Sequence, residues 1–331
     1  MIRSSSPLRR RGLMLAGAAS LLARPSFAQG WRPSGPIRLI AGAAAGGTLD
    51  IHARAAAPLL AERLGQPVVV ENNGGGGGRV AAATVGRAAP DGHTLLVASG
   101  DGLVIADLLF TDRSGPLRPR LRPVMLTVSA SQLLVTHPTS GIESVADYVT
   151  AARRPGGVTL ALPGHGGIAH LISEMLNREV GLPRVVHVPY RGGGPAALDL
   201  LAGQLDAMII TLPAVTDYVR AGRLRPLAVT GKTRDPAMPE VPTLDETIAP
   251  GFDMTSTQGV LAPAATPDAV IEALHGAWRA ALLTPVVGRR LGDLGFVVTA
   301  STPAEFQSSM DTTGARFGQT IAAAGIRGED A

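Results

Sequence analysis

Three glycine-rich corners hold the residues best suited to chemistry. Gly46-Gly-Thr-Leu-Asp50 follows the apolar run Ile37–Ala41. Gly164-His-Gly-Gly-Ile-Ala-His170 follows Val158–Leu162, and Tyr190-Arg-Gly-Gly193 follows Val185–Pro189. Each reads as a strand, a glycine turn and the start of a helix. A helix start presents backbone N–H groups without intrahelical acceptors, and the helix dipole makes that end positive. Such an end suits an anion. Three copies of the device in one chain suit a small carboxylate gripped from several sides. Ser99-Gly100 lies at the carboxyl end of a further strand, Thr94–Ala98, where ligands bind in open parallel sheets.

Competing chemistries fit less well. Gly164-x-Gly-x-x-Ala169 resembles a dinucleotide fingerprint, but no acid closes the following strand, which reads Val185-Val-His-Val. The five-glycine loop after Asn72-Asn73 lacks the Gly-Lys-Ser/Thr of a nucleotide P-loop and reads as a mobile surface loop or a ligand lid. A zinc site needs three or four clustered ligands. His165 and His170 are five residues apart, which puts them on poorly matched helix faces, so no metal is expected. His165 then faces or caps the ligand, and His170 packs its helix. Arg191 is placed to fork onto a carboxylate, whereas Arg54, a turn into its helix, is better placed for a salt bridge. Ser99 has no neighbouring base, and neither a G-x-S-x-G elbow nor an H-E-x-x-H motif occurs, so no catalytic residue is assigned. With no cysteine, thiol chemistry and disulfides are excluded.

The elements that must position these corners alternate between strand and helix over most of the 331 residues. Aromatic residues make up 3 % and hydrophobic residues 45 %, so the core is aliphatic. The repeated strand–helix units, broken near 128–132 and 252–258, predict two α/β lobes. Thr266-Pro267 and Thr302-Pro303 start two final helices, with Glu305 completing a capping box.

Residues 1–28 read as an export signal. They hold Arg9-Arg-Arg11, a short apolar run to Leu22 and Ser26-Phe-Ala28 as a small-x-small cleavage site near Ala28. Arg10-Arg-Gly-Leu-Met14 fits a twin-arginine signal, and an ordinary Sec signal with one extra arginine is the alternative. The net charge of +4 comes from this segment: without its five arginines, 25 basic residues face 26 acidic ones. That balance argues against nucleic acid as a partner.

Gly46-Gly-Thr-Leu-Asp50, Pro90-Asp-Gly-His-Thr-Leu-Leu96, Pro189-Tyr-Arg-Gly-Gly-Gly-Pro-Ala196, Gly203-Gln-Leu-Asp-Ala207 and Pro239-Glu-Val-Pro-Thr-Leu-Asp-Glu246 occur in that order. The series, over about 36–327, resembles the tripartite tricarboxylate transporter substrate-binding proteins, the Bug-type periplasmic solute receptors. The resemblance implies a two-lobed periplasmic-binding-protein fold, a type II-like Venus flytrap with two interlobe crossings. Residues 29–131 and 254–331 would form one lobe and 132–253 the other. It implies capture of a small organic acid by backbone groups, hydroxyls and water, without a cofactor. It implies delivery, by a monomer in the periplasm, to a permease of one large and one small membrane subunit. By position, Gly46, Gly47, Thr48 and Asp50 with Ser99 and Gly100 would line the first lobe. Gly164, His165, Gly166, Gly167 and His170, and opposite them Tyr190, Arg191, Gly192 and Gly193, would line the second. Where the family has a Phe and a Pro before the first Gly-Gly, this chain has Gly42-Ala-Ala-Ala45, which suggests a roomier site. An exported α/β enzyme acting on an acidic metabolite, and a sensor signalling to a membrane kinase, are the alternative functions.

Overall fold

Short runs of Val, Leu, Ile and Ala bounded by glycine become strands because both their faces can be covered by helices. The computed structural model describes residues 30–110, 115–183, 185–190 and 192–328. The export signal and Arg191 lie outside the described residues. The first half of the chain contains β1 (Ile37–Ala41), α1 (Thr48–Leu64), β2 (Val68–Asn72), α2 (Arg79–Val85), β3 (Thr94–Ser99), α3 (Gly100–Leu109), β4 (Leu121–Thr136), α4 (Val145–Ala152) and β5 (Val158–Leu162). There follow α5 (Ile168–Val180), β6 (Val185–Pro189), α6 (Gly193–Leu201), β7 (Ala207–Thr211), α7 (Thr216–Arg220), β8 (Arg225–Val229) and α8 (Leu244–Thr247). The chain ends with β9 (Thr255–Pro263), α9 (Asp268–Leu282), α10 (Pro285–Asp293), β10 (Val297–Val298) and α11 (Pro303–Ala324).

The strands form two sheets that share β4. In the first, the order is β2-β1-β3-β9-β4, with β10 also on β4. In the second, β4 is followed by β7, β5 and β6, with β8 also on β4. The partner of β4 changes inside the strand: Ser131 pairs with Thr255 of β9, and Gln132 pairs with Thr211 of β7. The chain leaves the second sheet where the Met254 N–H donates to the Thr230 carbonyl at 2.8 Å, and Thr255 then opens β9. Two crossings thus join two α/β units. Leu121–Gln132, the larger part of β4, carries no clear strand signal in sequence, because it mixes Arg, Pro and Ser with its apolar residues.

Strand directions decide where the corners point. β3 and β4 are both antiparallel to β9, so β1 and β3 run the same way as β4, toward the second sheet. β7 is antiparallel to β4, and β5 and β6 are parallel to β7, so these strands run toward the first sheet. The carboxyl ends of both parallel sets therefore face each other across the crossing. The helices α3 and α11 pack against α5, so the two units touch there. Thr216 closes the opposite flank, its hydroxyl donating to the Leu294 carbonyl at 2.9 Å.

Candidate functional site

The first corner links β1 to α1. Gly46 has φ 79°, the left-handed region that glycine enters without strain. Its N–H donates to Asp50 Oδ2 at 2.9 Å. The other carboxylate oxygen, Oδ1, accepts from Arg54 Nε at 2.7 Å and from Asn72 Nδ2 at 3.0 Å. Burial alone would raise this carboxyl; the Gly46 N–H, Asn72 and Arg54 outweigh it and hold it below the usual range. Asp50 is 4 % exposed, and both its oxygens are satisfied by the protein. It shapes the turn from behind; as a carboxylate it would repel an acid, not grip one. Gly47 then caps α1 at φ −72°, ψ 165°, with no side chain over the first N–H groups. Gly74 of the five-glycine loop sits against Ala43 and Ala44, backing this corner.

The second corner, from β5 to α5, repeats the device. Gly166 has φ 67°, and its N–H donates to His170 Nδ1 at 3.0 Å, the same four-residue reach with an imidazole in place of the carboxylate. Gly167 caps α5 at φ −74°, ψ 175°, again with no side-chain cap. Gly47 donates to the Ala44 carbonyl and Gly167 to the Gly164 carbonyl, at 3.1 and 3.3 Å, so the turns close alike.

His170 is not alone. Its ring centroid is 4.8 Å from that of His165 and 4.7 Å from that of His187. The expectation that spacing keeps His165 from His170 is corrected: His165 lies in the turn, not on the helix, so helix-face arithmetic does not apply. Ligating atoms of His170, Glu174 and His187 come within 4.8 Å of one another. The bonding opposes a metal there. His170 Nδ1 accepts the Gly166 N–H, so in the neutral ring Nε2 carries the proton and has no lone pair for a cation. His187 is occupied as well, with Ser173 Oγ 2.8 Å from Nε2 and Glu174 Oε1 3.4 Å from Nδ1. Burial, then His187 and His165, push His170 down to about 4, and burial, then His165, push His187 down to about 4. Neutral, His170 and His187 brace the corner from within.

The third corner links β6 to α6. Gly192, at φ 118°, donates its N–H to the Pro163 carbonyl at 2.8 Å, tying this corner to the second. Gly193 and Gly194 open α6 without a side-chain cap. The Tyr190 hydroxyl donates to Asp199 Oδ2 at 2.7 Å, so its hydrogen is not free for a ligand. Burial and the Asp199 carboxylate push that phenol up to about 12. Ser99 caps α3, accepting the Gly102 N–H at 3.0 Å, which leaves its own hydroxyl hydrogen available. Gly100 is buried; a Cβ there would lie 2.8 Å from Thr257 Oγ1 and 2.9 Å from the Phe306 ring, so it serves packing.

Several contributors escaped sequence reasoning. Gln258 of β9 donates through Nε2 to Thr48 Oγ1 at 2.8 Å, from a position 210 residues away. Its Oε1 lies 2.9 Å from His52 Nδ1. Asp101 receives the Thr257 N–H, and burial pushes its carboxyl up to about 6. Gln132 donates to Thr211 Oγ1 at 2.9 Å at the crossing. No local motif marks these polar residues; only their burial in the fold does. Together, three glycine-capped helix starts with no side-chain cap and two hydroxyls, Thr48 and Ser99, lie at the carboxyl ends of strands that run toward each other. That set donates hydrogen bonds and positive potential, and it can hold an anion without a metal or a catalytic base.

Residues 52–326 match the model of the tripartite tricarboxylate transporter family receptor. Protein BugT of Bordetella pertussis is 32 % identical over 294 residues, spanning 88 % of this chain and 89 % of BugT. Among solved structures, the periplasmic binding protein BugD superposes with a TM-score of 0.81 at 28 % identity, covering 89 % of this chain and 99 % of that one. MatC of Rhodopseudomonas palustris, solved with bound malate, gives 0.79 at 29 % identity over 87 % of this chain and 99 % of MatC. R. palustris Rpa4515, solved with adipate, gives 0.83 at 29 % identity over 89 % and 99 %.

Proposed function

This chain belongs to the tripartite tricarboxylate transporter receptor family, and we propose that it captures a small organic carboxylate between its two sheets and delivers it to a membrane permease. One observation carries this reading. Strands β1 and β5 run toward each other, and each ends in the same glycine corner, braced four residues on by Asp50 or His170 and opening an uncapped helix. Opposed positive helix ends in a partly dry gap hold a negative charge strongly, since low dielectric strengthens each N–H contact. The solved relatives with malate and adipate support a dicarboxylate or hydroxy-acid ligand. Gly46, Gly47, Thr48, Ser99, Gly164, His165, Gly166, Gly167, Gly192, Gly193 and, by sequence, Arg191 border the ligand. Asp50, His170, Tyr190 and Gly100 hold that border in shape.

The protein works as a receptor: its family and solved neighbours are binding proteins, and a site made of donors stabilises a bound anion. It acts in the periplasm after removal of residues 1–28, as a monomer presenting its ligand to the large and small permease subunits. No helix among the described residues is long and apolar enough to cross a membrane.

Thermal unfolding with a carboxylate series tests this. A ligand at 100 times its dissociation constant adds about 2.7 kcal/mol of stability. Malate, adipate or a related di- or tricarboxylate is expected to raise the melting temperature without being consumed. A flat series, or turnover of the acid, would overturn the receptor reading.

A further inference from the structure

Affinity for one anion held by both units depends on how the units are set against each other, and that is decided where the chain crosses between them. One crossing is Ser131–Gln132 within β4, and the other is Met254–Thr255, where β9 begins. Thr230, one residue beyond β8, is bonded to both. The β8–β4 register places it opposite Gln132, next to the pair Val229–Leu133. In an antiparallel ladder two such residues exchange both N–H to carbonyl bonds. Half of that exchange is made: the Thr230 N–H donates to the Gln132 carbonyl at 2.9 Å. The other half is diverted. The Gln132 N–H donates to Thr230 Oγ1 at 3.0 Å, and the Thr230 carbonyl accepts the Met254 N–H at 2.8 Å. The hydroxyl oxygen thus stands in for the carbonyl in the ladder and frees it to reach the second crossing. Backbone N–H groups only donate, so these three bonds have fixed directions. The hydroxyl hydrogen has the Met254 carbonyl at 2.5 Å and the Gln132 carbonyl at 3.3 Å. The nearer acceptor takes it, which adds a second link to Met254. Thr230 is 0 %, Gln132 1 % and Met254 5 % exposed, so water does not replace these bonds.

We propose that Thr230 is a positioning residue for the carboxylate site: its hydroxyl locks the two crossings together and so fixes the angle at which the glycine corners of the two units meet on one ligand. The inference rests on the receptor reading above. A valine at this position keeps the volume and the β-branch but removes the acceptor of the Gln132 N–H. That N–H and the Met254 N–H must then share the single Thr230 carbonyl, which draws both crossings out of their geometry. A serine keeps the oxygen and with it the lock.

Isothermal titration with malate and adipate on the wild type, Thr230→Ser and Thr230→Val tests this, with amide hydrogen exchange followed at Gln132 and Met254. Loosening a link between two sites changes their coupling by about two- to thirtyfold. Thr230→Val is expected to weaken whichever acid binds by about that factor and to speed exchange at both amides. Thr230→Ser should match the wild type in both. Thr230→Val with wild-type affinity, whatever its melting temperature, would leave the hydroxyl a merely structural part and overturn the assignment. A serine variant as weak as the valine one would overturn it too. If Thr230→Val does not fold, the wild type decides: both amides should stay protected with and without acid, and rapid exchange at either in the free protein would overturn the lock. A wild type that binds neither acid sinks the receptor reading and this inference together; a wild type that binds, with Thr230→Val unaffected, sinks this inference alone.

Discussion

Gly46 and Gly166 adopt the same left-handed turn, yet they do not tolerate a side chain equally. A Cβ on Gly46 meets nothing within 4 Å, whereas one on Gly166 would lie 2.5 Å from Leu109 Cδ1, at the end of α3, which packs against this corner. Gly46→Ala is expected to cost about 1–2 kcal/mol in urea unfolding, the price of a left-handed alanine. Gly166→Ala should cost more and also loosen the contact with α3. Gly193 has no positive φ, and its Cβ would meet only the movable Ile210 Cδ1, at 3.1 Å, so Gly193→Ala should change stability little. Equal losses at Gly46 and Gly166 would contradict this account. Tyr190 makes a second test at this scale. Because its hydroxyl hydrogen goes to Asp199, Tyr190→Phe should keep carboxylate affinity within about twofold while lowering stability by about 1 kcal/mol. A tenfold loss in titration would show that the hydroxyl reaches the ligand.

At the scale of elements, α5 differs from α1 in what holds its start. Asp50 braces α1 as a carboxylate, and His170 braces α5 as a neutral imidazole. His52, His170 and His187 all have folded values near 4 against 6.5 for a free histidine. The unfolded chain therefore takes up protons first as pH falls. Their contribution is full above about pH 6.5 and is lost progressively toward pH 4. Asp101 acts the other way: its folded value near 6 against 3.8 means that stability from this group is full at low pH and lost as pH rises toward 6. Among the described groups shifted furthest, three histidines oppose one carboxyl, so the melting temperature should fall between pH 7 and pH 4.5. His170 protonated at Nδ1 cannot accept the Gly166 N–H, so carboxylate affinity should fall at the acid end of the same range. Titration at pH 7 and pH 4.5 checks the affinity, and calorimetry checks the melt; a melting temperature that rises on acidification would refute the sign.

At the scale of the molecule, one continuous strand makes the hinge region stiff. β4 is hydrogen-bonded to β9 on one side of Gln132 and to β7 and β8 on the other. One apolar cluster also runs across both sheets, its members including Leu96 and Leu126 of the first, Leu160 and Ile209 of the second, and Leu103, Phe306 and Ile172 of the helices. Unfolding should therefore be a single transition. The buried Trp278 reports on the first sheet, packed over His52, while far-ultraviolet circular dichroism reports on the whole chain. The two urea curves are expected to coincide; separate midpoints would mean that the sheets unfold independently.

Much of this was legible in the residues. The corner glycines, the strands before them and the helices after them follow from local rules: φ above zero favours glycine, and an apolar run bounded by turns makes a buried strand. That each corner opens a helix without a side-chain cap is likewise a local property. Which polar side chains stand behind the corners was not. Asp50 reads as a ligand by position but is consumed by Gly46, Arg54 and Asn72. His165 reads as remote from His170 until the turn folds it back. Gln258 carries no signal at all, because its meaning depends on Thr48 lying 210 residues away. The sequence determined the corners, since backbone conformation is set by nearest neighbours. Only the tertiary structure decided that they oppose one another and which side chains tune them, since strand direction and burial are set by contacts that neighbours in sequence do not make.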